Sequence, residues 1–326
     1  PIYFSTTVPS SQYNGLEKFF VQEGMAYRIV PINTGENEEG DYGMIDPFWM
    51  AAGCVDEAVR QIVAVGGNPD RIALLDNFCW GNPDKPDRLG GLVRCAQGCY
   101  EVAVEYGAPY ISGKDSLYNE YAQRGESIAI PGTILISAIG IMDDVSKAVT
   151  MDLKAAGNSI YIVGLTRDEL GGSVYYDLKG HLGASVPKVN FQQGRDAFRA
   201  IYTAVQKGLI ASVHDCSDGG MAAALAEMAF SGGFGVEAYL SKVPFDGKTD
   251  RNDTLLFSET HSRFLVEVSP DHVQAFEKIL KGVAFGRIAT VTPRADVVIY
   301  GLDDKTPCVR GTIKNFKSKW QAPLAW

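Results

Sequence analysis

Ala211-Ser212-Val213-His214-Asp215-Cys216-Ser217-Asp218-Gly219-Gly220-Met221-Ala222-Ala223-Ala224-Leu225-Ala226-Glu227-Met228-Ala229-Phe230 reads as a strand, a polar corner and a helix in immediate succession. Ala211 to Asp215 has the short, bounded pattern of a strand. Met221 to Ala229 is built from Ala, Leu, Met and Glu, all strong helix formers, and Phe230 follows. Asp215 at the end of the strand, with Ser217, Asp218, Gly219 and Gly220 after it, puts two carboxylates, a hydroxyl and two glycines at the mouth of the helix. Carboxylates hold Mg²⁺ through hard oxygens. Glycines let backbone come close, and a helix N-terminus offers N–H groups to phosphate. The same residues also suit a plain polar turn in which Ser217 or Asp218 caps the helix.

The alternation continues on both sides of this corner. A helix is expected from Pro47 to Val65, with Ala51, Val55, Ala58, Val59, Ile62 and Val63 on its apolar face and Gly66-Gly67 as its stop. Ile72 to Asp76 reads as a buried strand, Leu89 to Tyr106 as a second helix, and Tyr110 to Gly113 and Thr133 to Met142 as strands. A second unit starts near Val145. It has strands at Ser159–Gly164, Arg263–Val268 and Phe285–Val291 and helices at Gly194–Lys207 and Pro270–Leu280. Residues 1–40 read as polar and irregular, with 33–40 as a surface loop. The expected class is α/β (α+β) in two domains, 1–145 and 146–326.

Composition narrows the function. Charged residues make up 21% and the net charge is −9, with no Lys or Arg run, so nucleic acid is not an expected partner. Phosphate remains open to local groups and a metal. The six cysteines contain no CxxC pair, and Cys95 and Cys99, four apart on a helix, read as buried thiols. With four histidines, none at ligand spacing to those thiols, zinc is not expected. No stretch of 18 apolar residues is present, so no membrane span is expected, and reduced thiols suit the cytoplasm.

Three further segments carry chemistry. Ser112-Gly113-Lys114-Asp115-Ser116-Leu117-Tyr118-Asn119-Glu120-Tyr121 follows a strand, though it lacks Walker A spacing. Gly113 permits close approach, Lys114 can neutralise phosphate, and Ser116 can donate a hydrogen bond; a hairpin corner reads equally well. Asp76 ends an apolar strand, where ligands gather in α/β folds, or else starts an Asx-turn toward Asn82-Pro83. Glu57 and Gln61, four apart, share a helix face and two oxygens suited to a cation, although such pairs are ordinarily solvated. His261, at a strand start, reads as a surface residue. No Gly-x-Ser-x-Gly elbow is present, so nucleophilic catalysis is not expected.

Asp76-Asn77-Phe78-Cys79-Trp80-Gly81-Asn82-Pro83, then Ser112 to Tyr121, then His214 to Gly220, then Leu256-Phe257-Ser258-Glu259 occur in this order. Together they resemble the phosphoribosylformylglycinamidine synthase family, closest to the second half of its synthetase portion. The wider superfamily includes aminoimidazole ribonucleotide synthetase. The resemblance implies an ATP-dependent carbon–nitrogen ligase of purine biosynthesis. ATP phosphorylates an amide oxygen, and ammonia from glutamine then displaces phosphate to give an amidine. It also implies a mixed N-terminal sheet that pairs into a barrel by dimerisation.

Carried over residue by residue, the resemblance makes Asp76, Gly113, Lys114 and Ser217 ATP-binding positions. Ser116 becomes a substrate position, and Glu57, Gln61 and Asp215 become Mg²⁺ ligands of an auxiliary ATP/ADP site. Gln61 stands where the family has Asn, and Lys114 where shorter members have an Asn near Mg²⁺. The family's catalytic histidine belongs to its first half, and no matching segment is found here, so no catalytic residue is assigned. The expected partners are that first half, a glutaminase, and a second copy of the chain. Two other readings stay open: a non-catalytic half whose ADP–Mg²⁺ is structural, and a stand-alone enzyme like aminoimidazole ribonucleotide synthetase. The isolated chain is expected not to turn over.

Overall fold

The computed structural model describes residues 2–7, 18–22, 25–32, 41–123 and 126–324, and side chains over 42–121 and 127–323. It is a mixed α/β fold whose chain divides into two units. The first unit comprises residues 1–62, 68–142 and 170–191, and the second 63–67, 143–169 and 192–326. The units therefore interleave in sequence, and Leu170–Phe191 returns to the first. There the Phe191 ring lies 6.5 Å from that of Trp49, and the Lys188 ammonium lies over the Trp49 ring.

The first unit holds a six-stranded sheet in the order β2-β3-β1-β8-β4-β5. Its strands are β1 (Ile2–Thr7), β2 (Lys18–Gln22), β3 (Met25–Ile32), β4 (Ile72–Cys79), β5 (Tyr110–Ser116) and β8 (Thr133–Ile141). A separate hairpin pairs β6 (Glu120–Gln123) with β7 (Glu126–Ala129). Three strands thus stand within residues 1–40, where the sequence suggested irregular chain. Their aromatic and β-branched residues suit a pleated sheet. The expected loop at 33–40 lies outside the described residues. The sheet is mixed: β1 pairs parallel with β3 and antiparallel with β8, and β4 pairs parallel with β5 and antiparallel with β8.

Helices α1 (Asp41–Ile45), α2 (Pro47–Ala64), α3 (Pro86–Tyr106) and α4 (Val174–Asp177) complete the unit. Asp46 starts α2 by accepting the Phe48 N–H at 3.0 Å, with Pro47 in the first turn, where a missing N–H costs nothing. Gly107, left-handed at φ 66°, ends α3. The two helices cross closely at Gly98, where a Cβ would lie 2.3 Å from the Phe48 carbonyl oxygen. Along β8, Ile134, Ile136, Ala138 and Gly140 are buried, and a Cβ on Gly140 would meet Ile62 of α2. Thr133, Leu135, Ser137 and Ile139 point to the other face and remain half-buried.

The second unit is a seven-stranded sheet in the order β10-β12-β9-β13-β11-β14-β15. The strands are β9 (Ser159–Val163), β10 (Ser212–Asp215), β11 (Gly235–Tyr239), β12 (Phe264–Val268), β13 (Phe285–Thr292), β14 (Asp296–Tyr300) and β15 (Pro307–Thr312). Only β11–β14 is parallel. The helices are α5 (Phe191–Gln206), α6 (Gly220–Gly232), α7 (Asn252–Phe257), α8 (Val273–Ile279) and α9 (Ile313–Gln321). Met221, Leu225 and Met228 of α6 sit in one core with Ile160, Ile162, Val236, Leu265 and Val291. Ile313 and Phe316 of α9 pack against it, and Thr312 caps α9 by accepting the Asn315 N–H. Among the described residues no helix is long and apolar enough to cross a membrane.

Candidate functional site

Asp76 does not end its strand. β4 runs on through Asn77, Phe78 and Cys79, because β8 pairs with all three. In the same way, Ser112 to Ser116 is strand, not loop. Asp76 and Gly113 are direct neighbours in the parallel β4–β5 ladder. A Cβ on Gly113 would lie 1.9 Å from Asp76 Oδ1, so the carboxylate occupies the space a side chain would fill. Burial raises the Asp76 pKa above its ordinary value; a backbone hydrogen bond opposes this, and the charge of Asp115 adds to it.

Strand alternation places Asp115 on the Asp76–Gly113 face and turns Lys114 and Ser116 to the opposite face, beside Asn77 and Cys79. Lys114 Nζ donates to Ser116 Oγ there. The four predicted residues of this corner therefore divide between two faces of the same strand pair. Asp115, which the sequence reading passed over, lies two residues from Gly113, and the period of a strand alone puts both on one face.

The exit from β5 is latched to the loop after β4. The Trp80 N–H donates to the Ser116 carbonyl (2.8 Å), and the Asn119 N–H to the Trp80 carbonyl (3.0 Å). Glu120 gathers the Asn82 N–H (2.7 Å), Lys85 Nζ (3.0 Å), Arg88 Nη1 (3.1 Å) and the Ser127 hydroxyl. The Ser127 hydroxyl and the Asn82 N–H bring the Glu120 pKa down to about 2; burial opposes them, and Lys85 and Arg88 assist. A lowered carboxylate pKa stabilises the latch above the ordinary value near 4.5, and that contribution is lost as pH falls through about 2. The Asn82 amide resonance should therefore hold its position from pH 7 to 4 and move with a midpoint near 2. A midpoint at the ordinary carboxylate value would show that the latch does not form.

On α2, Glu57 and Gln61 are 6% and 8% exposed, not solvated as such pairs ordinarily are. Among the described residues the buried Gln61 Oε1 atom has no hydrogen-bond partner. A buried acceptor without a donor costs about 1–3 kcal/mol, and an incoming cation would relieve that cost. Nearby, Asp56 accepts from Arg60 Nη1 (2.5 Å) and from the Tyr106 hydroxyl (2.6 Å), so the buried helix carries its charge in a bonded cluster.

In the second unit, the β10–α6 corner is organised from a distance. Gly219 is the N-cap of α6, left-handed at φ 70°, and neither Ser217 nor Asp218 fills that role. Glu259, forty residues on, accepts the Gly219 N–H at 2.9 Å. Gly220 is left-handed too, and a Cβ there would meet the Ser258 carbonyl oxygen at 2.5 Å. Arg263, fully buried, braces the same segment by donating to the Ser258 and Thr260 carbonyls and to Thr166 Oγ1. His261 is buried at 8% exposure, which corrects its reading as a surface residue: the Arg263 bonds fold 258–263 inward.

Asp215 is 4% exposed, and its Oδ2 accepts from Ser217 Oγ at 3.4 Å. His214 Nδ1 lies 3.3 Å from Asp215 Oδ1, and its Nε2 lies 2.7 Å from Glu227 Oε2. Burial works to lower the His214 pKa, but the two carboxylates override it and push the pKa up to about 10. Among the described residues no three His, Cys, Asp or Glu side chains gather as a metal cage. Mg²⁺ needs none where phosphate oxygens and water complete its shell.

Residues 32–142 match the AIR synthase related protein N-terminal domain, and residues 155–301 match the C-terminal domain of the same family. The chain belongs to the AIR synthase-related family. Residues 1–48 also match a TMEM260-associated domain. This AIR synthase-related chain is 36% identical over 263 residues to a protein from Methanothrix thermoacetophila, "Phosphoribosylformylglycinamidine synthase subunit PurL"; the match covers 76% of this chain and 33% of that protein. The chain thus spans about a third of that relative's length. Thermotoga maritima PurL complexed with FGAR has the same fold, with TM-score 0.70 and 19% identity, covering 85% of this chain and 44% of that one. The same protein complexed with ATP gives TM-score 0.66 and 17% identity, covering 85% and 42%.

Proposed function

We propose that this chain is the second, nucleotide-binding portion of a phosphoribosylformylglycinamidine synthase, an ATP-dependent ligase of purine biosynthesis. The 36% identity to a curated synthase subunit carries this reading. In that reaction ATP phosphorylates the amide oxygen of formylglycinamide ribonucleotide. Ammonia then forms the new carbon–nitrogen bond as phosphate leaves. A bound Mg²⁺ would neutralise charge on the phosphates. Asp76 and Gly113 form the ATP corner, where the backbone at Gly113 offers close approach. On the opposite face of the same strand pair, Lys114 meets phosphate as a cation and Ser116 donates to the substrate.

For the auxiliary ATP/ADP–Mg²⁺ role, Glu57 and Gln61 are the Mg²⁺ ligands the first unit offers, and in the second unit Asp215 is a Mg²⁺ ligand and Ser217 a nucleotide contact. All four offer hard oxygens, and the unsatisfied Gln61 Oε1 fits a cation ligand. The chain works with a first synthetase half and a glutaminase; the word "subunit" in the relative's name favours an assembly. The half-buried face of Leu135, Ser137 and Ile139 on β8 favours pairing of the first sheet into a barrel with a like sheet.

Calorimetric titration of ADP with and without Mg²⁺ tests the reading. The wild type should bind with Mg²⁺. Asp215→Ala should lose about tenfold, or about 1.4 kcal/mol, with Mg²⁺ and nothing without it. A wild type that binds neither ADP nor ATP under either condition overturns the reading.

A further inference from the structure

A run of hydrogen bonds ties Asp215 to the last helix of the second unit. Trp320 on α9 donates its Nε1–H to Glu227 Oε1 at 3.0 Å. The other Glu227 oxygen, Oε2, lies 2.7 Å from His214 Nε2. His214 Nδ1 lies 3.3 Å from Asp215 Oδ1. The Trp320 ring also packs against Phe230, 5.4 Å between centroids. The Glu227 carboxylate is gripped at both oxygens, by an indole and an imidazole. That grip fixes the plane of the imidazole, and the imidazole fixes one oxygen of Asp215.

We propose that Glu227 and Trp320 are positioning residues for Asp215, setting the direction in which its carboxylate meets a divalent cation. The proposal rests on the reading of Asp215 as a Mg²⁺ ligand. Neither residue touches the ion; each acts through His214. A partner one bond beyond a metal ligand, here His214, commonly alters metal affinity by about 10–100-fold because it decides whether the ligand is already aimed, and Glu227 and Trp320 act by holding that partner in place. Trp320 lies about a hundred residues from the Gly219-Gly220 turn, so no local pattern joins them.

The test uses the whole chain with Mn²⁺ as the probe, bound ion being read by electron paramagnetic resonance in the presence of ADP. Trp320→Phe keeps an aromatic ring against Phe230 and removes only the N–H. Both Trp320→Phe and Glu227→Ala should weaken Mn²⁺ about tenfold. Metal-free ADP affinity and the Trp320→Phe melting temperature should not change. Glu227→Gln, which still accepts from Trp320 and still bonds His214, should recover most of the loss. The His214 ring resonances should shift in Trp320→Phe. Wild-type Mn²⁺ affinity in Trp320→Phe, with Asp215→Ala having lost it, overturns the relay and leaves Asp215 as a ligand. Wild-type affinity in Asp215→Ala overturns both. If Glu227→Ala does not fold, Trp320→Phe decides alone.

Discussion

Gly113→Ala is expected to weaken ATP binding about a hundredfold, or about 2.8 kcal/mol, while the chain stays folded. The added methyl would lie 1.9 Å from Asp76 Oδ1, far inside any tolerable contact. Gly113 lies on the edge strand β5, but its neighbour β4 is paired on both sides, by β5 and β8, so the β4 backbone holds its place and the carboxylate must move. Overpacking of this kind costs about 1–3 kcal/mol of stability. The nucleotide corner then loses both its carboxylate and its open backbone. Asp76→Ala removes the clash partner, so the stability costs of the two substitutions should not add in the double variant. Calorimetry and thermal melting read both quantities. Wild-type ATP affinity in Gly113→Ala would remove this corner from the site.

Glu267→Ala is expected to unfold the second unit or bring it close to unfolding. Glu267 is fully buried in β12, between β10 and β9. Its oxygens accept the Lys154 N–H (2.9 and 3.1 Å), the Ala155 N–H (3.1 Å), Asn158 Nδ2 (2.7 Å) and Ser212 Oγ (2.7 Å). Alanine would leave four donors facing a void. Breaking one partner of a buried charged cluster costs about 3–5 kcal/mol, against about 5–15 kcal/mol for a whole domain. Glu267→Gln keeps one acceptor oxygen and should fall between. Urea denaturation followed by circular dichroism measures the loss, and a loss under about 1 kcal/mol would show that water replaces the carboxylate.

Local order was legible wherever neighbours in sequence decide it. Pro47 opens α2 and the strand at 159–163 stands where its apolar run does. Cys95 and Cys99 are buried thiols, as their helical spacing required. What sequence could not carry was set by partners far along the chain. Asp76 looked terminal because Asn77 and the turn at Asn82-Pro83 follow it, but Thr133, Ile134 and Leu135 extend the ladder past it. The start of α6 looked self-capped, yet its N–H goes to Glu259. Glu57 and Gln61 read as a solvated pair because four-residue spacing says only that two groups share a face, not what that face meets. Of the candidate residues, Asp76 and Gly113 are neighbours in register, and Asp215 is bonded to Ser217.

The passage of residues 63–67 and 170–191 into units otherwise built from the other part of the chain constrains how such a protein can be altered. No single break in the gene yields two pieces that each own a complete core. A cut after Met142 strips the first unit of the stretch that brings Phe191 to Trp49, and it leaves the second without residues 63–67. Duplication, fusion and grafting would therefore have to transmit the pair as one heritable block. Laboratory swaps between relatives should succeed with crossovers outside the block and fail within it.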